Sequence, residues 1–451
     1  MKFTAKSFDC AYISNNLWLP KSQINVQAIK QALEVYPTTN NPAYASAVVR
    51  LWKESPHHLI VPKFFITEDK FSRYKFPFVD LSPALFPKVS ITHRVKPRDD
   101  SQAKAIQALQ GAHRGILNLA CGKGKTVIAL TALASLQTPA LVIVHNKSLM
   151  QQWSDMISRH LDYKDKIGLV QQDSFDWKHP ITLAMIQTLA SREWPAEFRR
   201  YFGVVIYDEV HHLSAPTFVR TADLCFGRRW GLTATPARPD GLETVYFYHL
   251  GQVLYSDMEQ DLKPETWFIQ TGIRPKDRFE EQAFKDTSGQ ENISKIRSWL
   301  VQNTARNAII LDEIKKARKS GRRILALTHS RMHAQYLQEH TEGAGLAMGG
   351  MSPTECLKAF RTKDVVYATA QYSKEALDAP SLDTLFILTP FGDHNALQQS
   401  IGRIQRSQEG KKQVMCIVLE DEIGFCHALC GKNRQYLDSQ DYPHKRIRRA
   451  Q

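Results

Sequence analysis

The chain has 451 residues, 43% apolar and 23% charged, with a formal net charge of +14. That length predicts two to four domains, and the excess positive charge favours polyanionic partners while saying nothing about fold. No run reaches the roughly eighteen uncharged apolar residues of a membrane span, the opening MKFTAKSFDCAYISNN lacks an apolar core of signal-peptide length, and seven scattered cysteines, an odd count, fit reduced thiols in a cytoplasm better than a disulfide framework.

Residues 1–90 read as a small α/β domain with a faint internal echo. NLWLPKSQI (16–24) and HLIVPKFFI (58–66) each carry an apolar run, then Pro-Lys, then a closing apolar residue. Pro20 and Pro62 cannot donate to a ladder, so each is expected to end a strand or lie at an edge. Between them, INVQAIKQALEVY has helical spacing. The domain either only packs or also contacts duplex through Lys21 and Lys63; the residues favour neither.

From Val95 onward the texture changes. ALVIVH (140–145), GVVIYDE (203–209), RILALTHS (323–330), DVVYATAQ (364–371) and TLFILTP (384–390) are near-continuous β-rich runs, as expected of parallel strands buried on both faces. Helical segments alternate with them, which predicts βαβ crossovers and an α/β architecture. The charged, turn-rich KDRFEEQAFKDTSGQEN (276–292) breaks the rhythm and reads as a linker or exposed insertion. Strands on both sides of it predict two α/β lobes, taken as 91–262 and 263–451. The second lobe ends in a short basic tail, PHKRIRRAQ. Cys426, His427 and Cys430 lie close together, but no second Cys/His pair completes a tetrahedral site, so buried helix positions are expected.

ACGKGKT (120–126) sits between an apolar strand, 115–119, and a helix, 126–136. Gly122 and Gly124 let a backbone, with Lys123 between them, wrap an anion with N–H groups inward, and the following helix N-terminus adds partial positive charge. Lys125 would reach the β- and γ-phosphates of a nucleotide, and the Thr126 hydroxyl would ligate Mg²⁺. Leu119 stands where the full G-x-x-x-x-G-K-[S/T] pattern has glycine. Farther on, VVIYDEVHH (204–212) ends a buried strand in two carboxylates, which is costly unless a cation waits there. Asp208 suits a Mg²⁺ ligand, Glu209 the base that orients an attacking water, and His211 a link to a neighbouring element.

With A-x-G-x-G-K-T followed by DEVH, the chain resembles the superfamily 2 helicases, and further motifs fall in that family's order. Gln102 resembles the adenine-reading glutamine, with Arg98 four residues ahead where the family has Arg three ahead. VHNKSLMQQW (144–153), with Asn146 and Lys147, and MIQTL (185–189), with Thr188, are similar to the family's nucleic-acid backbone contacts. GLTATPAR (231–238) matches the Thr-Ala-Thr motif, so Thr233 and Thr235 are expected to couple ATP state to strand binding. LTHSR (327–331), with His329 and Ser330, and ATAQYSKEALDAP (368–380), with Thr369 and Asp378, resemble strand- and ribose-contacting motifs; Ala376 stands where the family has glycine. QQSIGRIQR (398–406) matches Q-x-x-G-R-x-x-R through Gln399, Gly402, Arg403 and Arg406. So many motifs in order make coincidence a poor explanation.

The resemblance implies two RecA-like parallel-sheet motor lobes preceded by the small α/β domain. It also implies ATP and Mg²⁺ as ligands, and Arg403 and Arg406 as arginine fingers on the nucleotide gripped by Lys125. The sequence GLTATPARPDG and the compact layout are most similar to phage branch-migration helicases of the T-odd coliphage type. That likeness implies DNA as partner, held mainly through phosphates, with forks and Holliday junctions as substrates and 3′-to-5′ tracking. A monomer or weak oligomer in the cytoplasm is expected, with no membrane partner. An RNA helicase or ribonucleoprotein remodeller, and an ATP-gated clamp without unwinding, remain open beside it. Phe391, Trp18 and Phe64 are candidates for a strand-separating wedge, with packing the expected role of each.

Overall fold

The structure is a computed structural model. It describes residues 8–38, 48–66, 74–83, 85–235, 240–260, 262–287, 289–370, 380–406, 408, 410–411 and 413–449. Asp378 and Ala376, and the Pro236, Ala237 and Arg238 end of the Thr-Ala-Thr motif, lie outside the described residues. The chain forms two compact units, Met1–Met258 and Glu259–Gln451, each built on a parallel sheet of RecA-like type. No described helix is long and apolar enough to cross a membrane.

In the first unit an eight-stranded sheet runs in the order Ser174–Asp176, Gly168–Gln171, Ile181–Met185, Ala140–Val144, Val204–Asp208, Arg228–Thr233, Arg114–Leu119, Val253–Asp257. Every neighbouring pair is parallel except the first, an antiparallel hairpin at the edge. All five residues of Ala140–Val144 are buried, the expected state of an apolar strand covered on both faces by crossover helices.

The N-terminal region adds a five-stranded sheet in the order Lys53–Glu54, His58–Pro62, Asn16–Pro20, Ala11–Ile13, Phe78–Asp80. The two echoed segments are antiparallel partners, with Asn16 opposite Pro62 and Pro20 opposite His58, so both prolines occupy the last position of their strands. The helix between them is shorter than its apolar spacing predicts. Asn25 caps it by accepting from Ala28 N at 3.0 Å, it spans Val26–Ala32, and Glu34–Val35 then pairs with Val49–Arg50 as a short strand. Tertiary pairing here overrides helical periodicity. The core of this sheet, with Leu17, Leu19, Leu59 and Val61, also takes in Leu242 and Val245, so the region shares a hydrophobic cluster with the rest of its unit. Lys21 is spent on Glu54 at 2.9 Å, whereas Lys63 donates to the Phe226 carbonyl at 3.3 Å.

The second unit holds a seven-stranded, all-parallel sheet ordered Gly345–Ala347, Val365–Thr369, Ile324–Thr328, Thr384–Ile387, Val414–Glu420, Pro264–Gln270, His444–Arg448. The short basic tail includes the last strand of this sheet. Its Arg446 meets Glu420 at 2.9 Å, and that buried carboxylate also takes His427 at 3.1 Å and Arg434 at 3.3 Å. The basic end is an edge strand whose charge is answered from within. Residues 276–292 belong to this unit rather than joining the two; Asp277 caps a short helix, Arg278–Ala283. Cys426 and Cys430 are buried on the helix Gly424–Ser439, and burial pushes the Cys426 thiol up to about 12.

Of the wedge candidates, Phe391 is buried in the second unit's core with Leu397 and Cys430, and the Trp18 indole N–H donates to Ser14 Oγ at 3.2 Å. The same unit carries a fully buried ion pair. Arg306 Nε donates to both Asp421 oxygens at 3.0 Å, and Thr271 Oγ1 donates to the same carboxylate at 2.7 Å. Asp421→Asn strands the guanidinium in an apolar setting, and we expect a loss of about 3–5 kcal/mol, read as a lower urea midpoint for the second unit with the first unit's transition unmoved.

Candidate active site

Three adjacent parallel strands deliver the site. Val204–Asp208, Arg228–Thr233 and Arg114–Leu119 are neighbours in that order, with Asp208 level with Leu232 and Asn118 level with Thr233. Their carboxyl ends therefore open together at one edge of the sheet, where ligands of open α/β sheets bind. From that edge spring the loop 120–124, the turn at Glu209 and the Thr233–Thr235 segment.

The loop bends at two left-handed glycines, Gly122 with φ +87° and Gly124 with φ +82°. Gly124 caps the helix Lys125–Leu136. A Cβ built there would lie 2.7 Å from Gln102 Nε2; glycine is required by conformation and by space. Gln102 is buried. Its amide donates to Lys123 O at 3.0 Å and accepts from Arg98 N at 2.9 Å, so it braces the loop against its own helix, Asp100–Gly111. Lys123 Nζ pairs with Asp257 Oδ2 at 3.2 Å. Lys125 Nζ donates to Leu119 O at 2.9 Å, and Thr126 follows at the second helical position.

Asp208 ends its strand as an acceptor. Trp153 Nε1 donates to Oδ2 at 2.8 Å and Glu209 N to Oδ1 at 3.1 Å. Burial, then the neighbouring Glu209 carboxylate, raise the Asp208 pKa above the ordinary aspartate range, against the pull of the Trp153 N–H and the Lys125 ammonium. Glu209 itself adopts φ +50°, uncommon for a residue with a side chain and costing roughly 1–3 kcal/mol. The kink turns the strand into the short 3₁₀ segment Val210–Ser214.

His211 Nδ1 lies 3.4 Å from Glu209 Oε2. Its ring is 4.4 Å from that of His212, which lies 3.9 Å from that of His145. His145 Nε2 is 3.0 Å from Asn146 Nδ2, and its carbonyl accepts from Gln187 Nε2 at 2.8 Å. Burial, with His211 nearby, lowers the His145 pKa to about 4 and keeps that ring neutral. Asn146 caps the helix Lys147–His160, accepting from Leu149 N at 2.8 Å, with Lys147 exposed at its first position. Thr188 is buried and accepts from Gln172 N at 3.1 Å. Thr233 and Thr235 are also buried, with Thr235 N donating to Thr233 Oγ1 at 3.0 Å.

In the second unit, His329 and Ser330 follow the strand Ile324–Thr328, and Thr369 ends the adjacent strand opposite Thr328. Ser330 caps the helix Arg331–Glu339. Gln399 and Arg403 lie on the helix His394–Ile404, and Arg406 stands just past its end. Lys411 Nζ donates to the Arg406 and Pro380 carbonyls, each at 2.9 Å, which anchors that terminus. Trp153, His145, His212 and Asp257 are the polar contributors that reading motifs misses. Asp257 carried a signal, an acid closing the strand LYSD, but only sheet order sets it beside Lys123.

Residues 94–238 match the family model described as type III restriction enzyme, res subunit. An Acanthamoeba polyphaga mimivirus protein named "Putative ATP-dependent RNA helicase" is 26% identical over 442 residues, 92% of this chain and 82% of its own. A Mycobacterium tuberculosis DNA 3′-5′ helicase XPB is 33% identical over 176 residues, 37% of this chain and 32% of that protein. Among solved structures, a Saccharomyces cerevisiae Dbp5 variant bound to RNA and ADP–BeF3 superposes with a TM-score of 0.56 at 11% identity, covering 77% of this chain and 89% of that one. The chain is similar to helicases of superfamily 2.

The buried Asp208 leans on Trp153 for part of its ionisation. If Asp208 holds Mg²⁺ it must be deprotonated, and the raised pKa then predicts that Mg²⁺-dependent activity fades on acidification at a higher pH than an ordinary aspartate would give. Trp153→Phe removes the N–H that favours the anion, and we expect it to move the acid limb of the kcat–pH profile further up in pH.

Proposed function

We propose that this chain is an ATP-driven motor that moves along DNA and remodels forked or junction substrates. The observation that carries the reading is the convergence of Lys125, Asp208, Glu209 and Thr233 at one sheet edge beside a glycine-bent loop. Lys125 exchanges its bond to the Leu119 carbonyl for the β- and γ-phosphates, and the loop N–H groups cradle them. Thr126 and Asp208 would hold Mg²⁺, which supplies charge neutralisation on the phosphates. A desolvated Asp208 beside Glu209 fits that ion, since burial and the Glu209 carboxylate disfavour its charged form until a cation arrives. Glu209 orients water on the γ-phosphate. Arg403 and Arg406 serve as the neutralising guanidinium groups, with Gln399 beside them as a nucleotide-sensing amide. Gln102 reads adenine and Asp378 the ribose in this scheme.

Asn146, Lys147 and Thr188 in one unit, and His329, Ser330 and Thr369 in the other, form the proposed track for a nucleic-acid backbone. His211, Thr233 and Thr235 transmit the state of the nucleotide. The sequence match to a DNA 3′-5′ helicase over 176 residues supports a DNA substrate and that polarity. A second reading, action on RNA, draws on the viral relatives. The mimivirus protein and the African swine fever virus proteins, 25% identical over 363 residues, are both named as ATP-dependent RNA helicases.

Lys125→Ala and Glu209→Gln should each lower ATP turnover by about a hundredfold or more, with nucleic-acid affinity in filter binding nearly unchanged. Wild-type turnover in either variant removes the assignment. A strand-displacement panel of fork, Holliday junction, 3′-tailed duplex and RNA duplex, each with ATP, tests the substrate. We expect the branched DNA to be unwound fastest; preferential opening of the RNA duplex would favour the second reading, and ATPase with no displacement would leave a clamp.

A further inference from the structure

The second unit gathers its strand ends around the start of one helix. Thr304–Lys319 is capped by Asn303, which accepts from Arg306 N at 2.9 Å. Arg306 and Asn307 are both buried there. Arg306 reaches Asp421, just past the strand Val414–Glu420, and the Leu388 carbonyl, just past Thr384–Ile387. Thr271, just past Pro264–Gln270, meets the same Asp421 carboxylate. The next strand in the sheet, Ile324–Thr328, is reached from Asn307 through His333.

His333 is 1% exposed, on the helix Arg331–Glu339. Its Nε2 lies 2.9 Å from Asn307 Oδ1 and its Nδ1 2.9 Å from Thr328 Oγ1. Asn307 donates from Nδ2 to Val301 O at 2.9 Å, which turns Oδ1 to the ring. A carboxamide oxygen only accepts, so the ring proton sits on Nε2 and Nδ1 is a bare lone pair. The reversed tautomer would set two lone pairs against each other, at the cost of an unmade buried hydrogen bond. Burial, then Arg306, lower the His333 pKa to about 3, so Nδ1 stays bare. The Thr328 hydroxyl therefore donates to it, and the same oxygen accepts from Ser330 N at 3.3 Å. Ser330 Oγ in turn accepts from His333 N at 3.3 Å, a bond that leaves the hydroxyl proton uncommitted. The line of bonds runs from the buried asparagine out to a half-buried Ser330 beside the exposed His329.

We propose that His333 is a positioning residue for the strand contact at His329 and Ser330: with its proton on Nε2 it sets the direction of the Thr328 hydroxyl and so the backbone at Ser330, aiming the Ser330 O–H at a nucleic-acid phosphate. The inference rests on the reading of this loop as part of the track. The ring acts without touching the strand. It holds in advance the geometry that binding would otherwise have to order, and the bond it prepares, from a hydroxyl to an anionic oxygen, is a charge-assisted one.

Fluorescence anisotropy of the full chain with a labelled single-stranded oligothymidylate or oligouridylate, whichever the wild type binds more tightly, tests this. Ser330→Ala should weaken binding about tenfold, the scale of a hydrogen bond to a charged group. Thr328→Val keeps the shape, removes the hydroxyl and should weaken binding by a similar factor, whereas Thr328→Ser keeps the hydroxyl and should bind as wild type does. His333→Phe should match Thr328→Val; if it does not fold, the threonine pair carries the test. In nitrogen NMR of histidine-labelled protein, the ring whose signals move in Thr328→Val and return in Thr328→Ser should be protonated at Nε2. Binding lost in Ser330→Ala but kept in Thr328→Val overturns this inference alone. Equal loss in Thr328→Val and Thr328→Ser marks a packing role and overturns it, as does a ring protonated at Nδ1. Full binding by Ser330→Ala overturns the reading of this loop as track, and the inference with it.

Discussion

Parallel pairing at the centre of the first unit is the constraint on which the rest depends. Because Val204–Asp208, Arg228–Thr233 and Arg114–Leu119 run the same way in matched register, their last residues share one edge. A lysine loop, a carboxylate turn and a threonine turn from distant parts of the sequence then face a common space. The strands are apolar on both faces, so the site is dry on its protein side, and Asp208 pays for that dryness with a raised pKa. The Trp153 indole N–H limits the rise. Its helix, Lys147–His160, begins at the proposed strand-contacting residues Asn146 and Lys147, so one helix touches Asp208 and frames part of the proposed track.

A second path leads from the same acid pair. Glu209, His211, His212 and His145 follow one another through contacts of 3.4, 4.4 and 3.9 Å, and His145 meets both Asn146 and Gln187. Burial, with His211 nearby, keeps His145 uncharged. Packed rings transmit displacement because they have no empty space into which to relax. The chain of contacts therefore joins Glu209 to Asn146 and Gln187 within a single unit.

The distribution of charge refines what the net +14 means. The basic end of the chain is an edge strand whose Arg446 is matched by Glu420, and Lys21 is matched by Glu54. Positive charge that is answered by an acid within the fold contributes little to outside partners. Lys63, Arg114 and Arg228 line a recess at the amino edge of the first sheet, together with Asp80 and other residues of the N-terminal region.

The α/β class and the strand positions were legible in the sequence, since buried parallel strands require unbroken apolar runs and these have few disguises. The bend of the loop 120–124 was legible for a similar reason: Gly122 and Gly124 stand where the backbone takes positive φ, with Lys125 following. Helix length between the echoed strands was not, because Glu34–Val35 could satisfy its backbone either way and a partner strand decided it. The same holds for the basic end, whose edge pairing with Pro264–Gln270 involves residues far back in the chain. By itself, then, the sequence determined local backbone chemistry: which runs are strands, where glycine is obligatory, and which side chains carry the motifs. Only the tertiary structure decided that Trp153 holds Asp208, that Lys123 meets Asp257, and that Lys63 turns to a recess rather than to solvent, because those pairings follow from the order in which strands lie side by side.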